Sequence, residues 1–203
     1  MPIIELFADV RCPFAHVGLR RLVQRRDAGE MDFTLRIRAW PLELVNDAPL
    51  DAELIGEEIE ALREQVAPDL FTGFSVAAFP ETSLPALAMT GAAYARGPEV
   101  GERVALGLRW ALFEDGRDLA RTDVLAELAE RWGAPFTSDT DGAGVVADWS
   151  DGQARGVIGS PHFFLAGEGY FCPVLDISRE DGRLRIVDNR PVFDEFVRRA
   201  LAG

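Results

Sequence analysis

Two scarce residue types in this chain can carry nucleophilic or proton-transfer chemistry, and each occurs twice: Cys12 and Cys172, His16 and His162. Cys12 and His16 share one short stretch, Asp9-Val10-Arg11-Cys12-Pro13-Phe14-Ala15-His16. Before it, Ile3 to Ala8 is an apolar run that reads as a short buried strand. After it, Val17 to Arg25 reads as a helix. Proline is favoured at the first helical position, which puts Cys12 at the cap. A thiol there faces free backbone N–H groups and the positive end of the helix dipole, and both favour the thiolate that attacks. Arg11 adds a positive charge. The expectation is a nucleophilic Cys12 with a pKa below the free-cysteine value of about 8.5. The competing reading is a small buried hydrophobe. Strand, Cys-Pro and helix in immediate succession weigh against it.

His16 lies one turn after Cys12, and helical side chains lean toward the N-terminus, so its ring can approach the sulfur. There it would stabilise the thiolate or serve as acid to a leaving group. The alternative is a packed, hydrogen-bonded histidine, since the spacing permits contact without requiring it. Asp9 either orients a water or proton near Cys12 or caps the turn leaving the strand, and the turn is the commoner outcome. His162 and Cys172 read as structural, the second within a strand; its pairing with Cys12 depends on a distance that spacing does not supply. Phe14, Trp40, Phe71, Phe74 and Phe79 either wall an apolar cleft or fill core, and core is the commoner outcome. No His, Cys and carboxylate cluster has metal-ligand spacing, and no Gly-rich loop marks a phosphate site. No metal and no bound cofactor are expected.

The 203 residues, 48% apolar and 27% charged, suffice for a full core in one domain, with or without a large insertion. A net charge of −13 argues against nucleic acid or an anionic membrane surface as partner. All 21 basic residues are arginine, which together with abundant Ala and Gly reads as the codon bias of a GC-rich genome. Leu84 to Ala95, the longest weakly polar stretch, is too short to cross a bilayer. No basic and apolar leader precedes the first strand, and two cysteines make no disulfide framework. The expected setting is a reducing cytoplasm.

The elements follow from periodicity. Phe33, Leu35, Ile37 and Ala39 alternate with polar residues as a half-buried strand does, ended by Trp40-Pro41. With the first strand and helix they form a βαβ unit. From about Asn46 the pattern turns helical. Ile55, Ile59, Leu62 and Val66 form one apolar stripe. Leu84 to Arg96 is a second helix, and a third begins at Pro98. Thr122-Asp123 caps a fourth, and Asp141 to Arg155 can form a fifth. Then strands return: Pro161 to Leu165, a turn at Gly167-Glu168-Gly169, Tyr170 to Ile177, and Leu184 to Val187 after the Asp181-Gly182 turn. Arg190-Pro191 opens a last helix.

Strand-Cys12-Pro13-x-x-helix is followed, after the helices, by Gly159-Ser160-Pro161-His162-Phe163-Phe164. In these two motifs and their order the chain resembles the DsbA-like branch of the thioredoxin superfamily, with its FrnE-like oxidoreductases, 2-hydroxychromene-2-carboxylate isomerases and kappa-class glutathione transferases. The resemblance implies an α/β chain, a thioredoxin fold (residues 1–45 and 156–203) interrupted by an all-helical insertion domain (46–155). It also implies a cis peptide at Ser160-Pro161 beside the thiol. Pro13, Phe14, Ser160 and Pro161 would then hold the substrate, with Cys12 and His16 as catalytic residues. One departure matters: Ala15 stands where the redox members carry the second cysteine of Cys-x-x-Cys. Without that thiol, Cys12 cannot release a mixed disulfide by the usual intramolecular attack. The expected function is therefore thiol-dependent oxidoreduction by a single cysteine on a small-molecule thiol, thiol conjugate or mixed disulfide. Glutathione or mycothiol would be co-substrate, and the chain a monomer or homodimer. One rival is a thiol-assisted isomerase or transferase, although those relatives commonly place serine at the cysteine position. The other is a redox-inactive binding or chaperone-like module, favoured by the missing resolving cysteine.

Overall fold

The computed structural model describes residues 1–136 and 142–202. Strand β1 (Ile3–Ala8) pairs in parallel with β2 (Thr34–Ala39), Leu6 opposite Ile37, and helix α1 (Pro13–Asp27) links them. On the other side of β1 lies antiparallel β3 (His162–Leu165), with Leu6 opposite Phe163. Then comes β4 (Glu168–Phe171), with His162 opposite Phe171. The sheet order is β2-β1-β3-β4. Between β2 and β3 run α2 (Leu42–Val45), α3 (Ala52–Gln65), α4 (Leu84–Tyr94), α5 (Pro98–Phe113), α6 (Thr122–Trp132) and α7 (Ala143–Ala154). After β4, β5 (Leu175–Glu180) and β6 (Arg183–Asp188) form their own two-stranded sheet, and α8 (Arg190–Ala202) follows. The interrupted α/β architecture is the one the resemblance implies.

Alternation along the strands divides the core. Ile4, Leu6 and Ala8 of β1 join Phe163 and Leu165 of β3 in the main cluster, shared with α1 and the long helices. The opposite face of the sheet carries Phe7, Trp40, Val157 and Phe164. Helix α7 covers this second face, and Gly152 is where it touches: a β-carbon there would lie 2.6 Å from the Trp40 ring. Arg38 and Arg155 clamp α7 to the strands, reaching Asp148, Asp151 and Glu5. So Trp40 lies on one face of the sheet while Phe71, Phe74 and Phe79 join the other cluster.

Three expectations about elements need correction. The strand expected from Tyr170 to Ile177 is broken, because Pro173 cannot donate to a ladder and Cys172 turns with φ 41°. Its halves belong to different sheets. Thr122 is the first helical residue of α6, with Arg121 at the cap and no side-chain bond there. The turn after β3 falls at Ala166-Gly167, so Glu168 already belongs to β4. Asp141, the expected start of the fifth helix, lies outside the described residues.

Candidate active site

Cys12 caps α1 in extended conformation (φ −76°, ψ 114°), with Pro13 opening the helix. Proline needs no amide partner in the first turn, so the cap costs nothing there. The Cys12 amide donates to the Asp9 carbonyl at 3.3 Å, closing the turn out of β1. Its thiol donates to the Ser160 carbonyl at 3.2 Å. The Ser160-Pro161 peptide is cis. The Ser160 hydroxyl accepts from the Asp9 amide at 3.1 Å, so Ser160 holds the turn and the sulfur together. Phe14 is half-buried against the core. Beside Ser160 two apolar side chains face solvent, Ile158 (71% exposed) and Phe171 (50%).

The thiol itself contradicts the expectation of a depressed pKa. Cys12 is 3% exposed, and burial pushes it up to about 12. The Ser160 hydroxyl and the Ala15 amide favour the anion, but less strongly than desolvation opposes it. Two acidic groups oppose it further: the carboxylate of Glu58 and the thiol of Cys172. The cap geometry is present, but the dry surroundings outweigh it.

Arg11 does not supply the expected charge to the sulfur. Its guanidinium, fully buried, binds Asp9, Glu43 at 2.9 Å, Ser83, and the carbonyls of Pro80 and Glu81. Asp9 is equally buried. One of its oxygens accepts from the Arg11 amide at 2.8 Å, the turn bond expected of it, and the other from the Leu42 amide and the Ser83 hydroxyl. A cation that does feel the Cys12 thiol is Arg109 of α5. It donates to the same Asp9 carbonyl at 3.3 Å and to the Ala105 carbonyl, while its Nε has no hydrogen-bond partner among the described residues. Burial lowers it to about 10, and Asp9 and Cys12 draw it back upward. The trace it leaves in the sequence is an arginine four residues after Ala105, inside the apolar face of α5.

His16 is turned elsewhere. Its Nε2 lies 2.9 Å from a Glu114 oxygen, and its ring packs at 5.4 Å on Phe71 and 4.9 Å on Phe113. Burial lowers its pKa, with Glu114 pulling the other way. Burial would raise Glu114, yet His16, the amides of Phe71 and Thr72 and the Thr72 hydroxyl hold it at about 2. The loop comes this close because of Gly73, where a β-carbon would stand 2.1 Å from the Glu114 carbonyl. His16 therefore joins α1 to the helical segment. His162 is buried, its ring stacked on Phe164 and its Nδ1 accepting from the Ile158 amide at 3.3 Å.

Two more ionisable groups act on the Cys12 thiol. Glu58 of α3, on the edge of the Ile55, Ile59 and Leu62 stripe, is raised by burial to about 7, with Arg179 drawing it down. Cys172 is raised by burial to about 11. Among the described residues no group of His, Cys, Asp and Glu could hold a metal ion.

The profile of the DSBA-like thioredoxin domain matches residues 3–181. The chain belongs to the DSBA-like thioredoxin family. Solved structures share its fold at low identity. A chain described as a probable DsbA oxidoreductase from Streptomyces coelicolor is 16% identical with a TM-score of 0.70, covering 100% of this chain and 91% of that one. The cytosolic disulfide reductase DsbM from Pseudomonas aeruginosa with GSH is 16% identical with a TM-score of 0.64, covering 97% and 96%. A 2-hydroxychromene-2-carboxylate isomerase is 16% identical with a TM-score of 0.60, covering 83% and 88%. No curated protein matches the chain. Within the DSBA-like family the cap cysteine and the Ser160-Pro161 segment are the parts of this chain that meet at one point, while His16 and Arg11 serve the joint around them. Among the described residues no helix is long and apolar enough to cross a membrane.

Proposed function

We propose that this DSBA-like protein is a thiol–disulfide oxidoreductase in which Cys12 exchanges with a small disulfide or mixed disulfide, glutathione or mycothiol being the co-substrate. The observation that carries the reading is the Cys12 thiol at the start of α1, on the Ser160 carbonyl at 3.2 Å. An extended ligand lying along Ser160-Pro161, over Ile158 and Phe171, would bring its sulfur to that point. The Cys12 thiolate attacks one sulfur of the ligand, a new S–S bond forms, and the other sulfur leaves as thiolate. The site would lie between a thioredoxin part (residues 1–45 and 156–203) and a helical part (46–155), in a cytoplasmic protein acting as monomer or homodimer. With the thiol at about 12, only ~1 part in 10⁵ is ionised at pH 7 in the closed site. A ligand that admits water or adds donors at the sulfur would raise that fraction.

Exposure to oxidised glutathione, and separately to oxidised mycothiol, followed by peptide mapping, tests this. Loss of the free Cys12 thiol, faster at higher pH, is expected. A Cys12 that stays free with both, up to pH 9, ends the reading. The buried, raised thiol would then favour a second one, a binding module that keeps the fold without redox turnover.

A further inference from the structure

We infer that Cys172 is the resolving thiol of this chain, closing a disulfide onto Cys12 beside Ser160-Pro161; the inference rests on Cys12 being the exchanging cysteine. The two cysteines bond consecutive carbonyls of one segment. The Cys12 thiol donates to the Ser160 carbonyl at 3.2 Å, and the Cys172 amide donates to the Pro161 carbonyl at 3.0 Å. That second bond continues the β3–β4 ladder one step past the His162 and Phe171 pair. Phe171 is half exposed on the His162 side, whereas Cys172 is buried in the cluster that contains Cys12, Ala15 and Val174. Val174 in turn reaches α1, 3.7 Å from the position of a β-carbon on Gly18.

With φ 41° the Cys172 backbone is in a region where glycine is unstrained and a side chain is not. A buried thiol stands there, where the chain leaves one sheet for the other. Cys172 is among the groups that raise the Cys12 thiol, which agrees with that placement. A disulfide needs Cα atoms within about 7 Å. Cys172 and Pro173 lie between the two sheets, outside the strands of both.

The step balances without a metal. Cys12 carries the small thiol as a mixed disulfide, and the Cys172 thiolate attacks the Cys12 sulfur. The Cys12–Cys172 bond forms, and the small thiol leaves as thiolate, taking up a proton from solvent. Over both exchanges the substrate disulfide is reduced by two electrons and the cysteine pair is oxidised. Two molecules of a low-molecular-weight thiol then reduce the pair and leave as their own disulfide. In this scheme Cys172 does what a cysteine at position 15 would do elsewhere.

The test exposes wild type, Cys172→Ala and Cys12→Ala to oxidised glutathione, quenches with acid and reads intact mass with non-reducing peptide maps. In wild type the glutathione adduct is expected to be transient, ending as a Cys12–Cys172 linked peptide. In Cys172→Ala the adduct on Cys12 should accumulate and persist at least tenfold longer. Cys12→Ala should show no linked peptide. An adduct equally long-lived in wild type and Cys172→Ala, with no linked peptide, overturns the inference and leaves the role of Cys12 standing. A Cys12 that remains free in wild type and in Cys172→Ala overturns both.

Discussion

Cys12 and Glu114 are both withdrawn from water at the edges of α1's first turn, and burial raises the pKa of both. They end at opposite extremes. Glu114 receives four donors, from His16, the amides of Phe71 and Thr72 and the Thr72 hydroxyl, and stands at about 2. Cys12 has the Ser160 hydroxyl and the Ala15 amide on its side and Glu58 and Cys172 against it, and stands at about 12. Desolvation alone therefore does not decide the charge state of a buried acid; the count and sign of its neighbours do. One corner is a fully satisfied joint. The other holds its thiol in the protonated form, ready to gain whatever a ligand brings.

The largest way to break the comparison is to strip the joint. Glu114→Ala leaves the amides of Phe71 and Thr72 without their acceptor, and chemical denaturation should show a loss of about 3–5 kcal/mol. Glu114→Gln keeps one acceptor oxygen and should lose less.

Acid titration of stability comes next. Glu114 has a folded pKa below its ordinary value of 4.5, so its contribution is full above that pH and is lost as pH falls toward about 2. His16, held neutral by burial, acts in the same direction. Its contribution is full above its ordinary 6.5 and begins to be lost as pH falls below it. Denaturation midpoints should therefore fall from about pH 6.5 downward, and Glu114→Gln should flatten the lower part of the curve. An unchanged curve in Glu114→Gln would mean that other carboxylates set the acid limit.

Removing the charge that opposes the thiolate sharpens the other side. Glu58→Gln should lower the Cys12 pKa, read as a several-fold faster alkylation at pH 8, where wild-type Glu58, at about 7, is ionised. The same substitution should remove a cost of keeping Glu58 charged. Folded Glu58 titrates above its ordinary 4.5, so wild type loses stability as pH rises through about 7, and Glu58→Gln should not. The smallest effect is expected of Ser160→Ala. It removes a group that favours the thiolate and the acceptor of the Asp9 amide, slowing alkylation slightly and lowering stability by about 1 kcal/mol. Alkylation rates that move in the same direction in both variants would break the account of the site.

Much of the frame was legible because it is local. The strand-to-helix passage at Cys12-Pro13 needs only apolar run, proline and periodicity, and it stands as read, with α1 starting at Pro13 itself. The turn bond of Asp9 is equally short-range. The breadth of the fold came from resemblance rather than pattern, since no local signal says that β3 returns to the far side of β1. Pro173 is a readable stop for the strand through Cys172, masked in the pattern by the alternation that continues on either side of it.

The charges and the thiol show where local reasoning ends. Arg11 is next to Cys12 in the chain, and His16 is one turn away, so spacing assigned both to the sulfur. Asp9 and Glu43 offered Arg11 a fully buried set of partners, and Glu114 offered His16 another, and a buried ion keeps whichever partners satisfy it best. The sequence by itself determined that a cysteine caps a helix behind a strand, with no thiol in the place that usually resolves it. Tertiary structure alone decided that this cysteine is dry, that Ser160 is its acceptor, and that Arg109, Glu58 and Cys172 are its charged or ionisable neighbours. A helix cap depends on a few consecutive backbone dihedrals. A pKa depends on every group that excludes water from the sulfur, and those groups come from segments that only folding brings together.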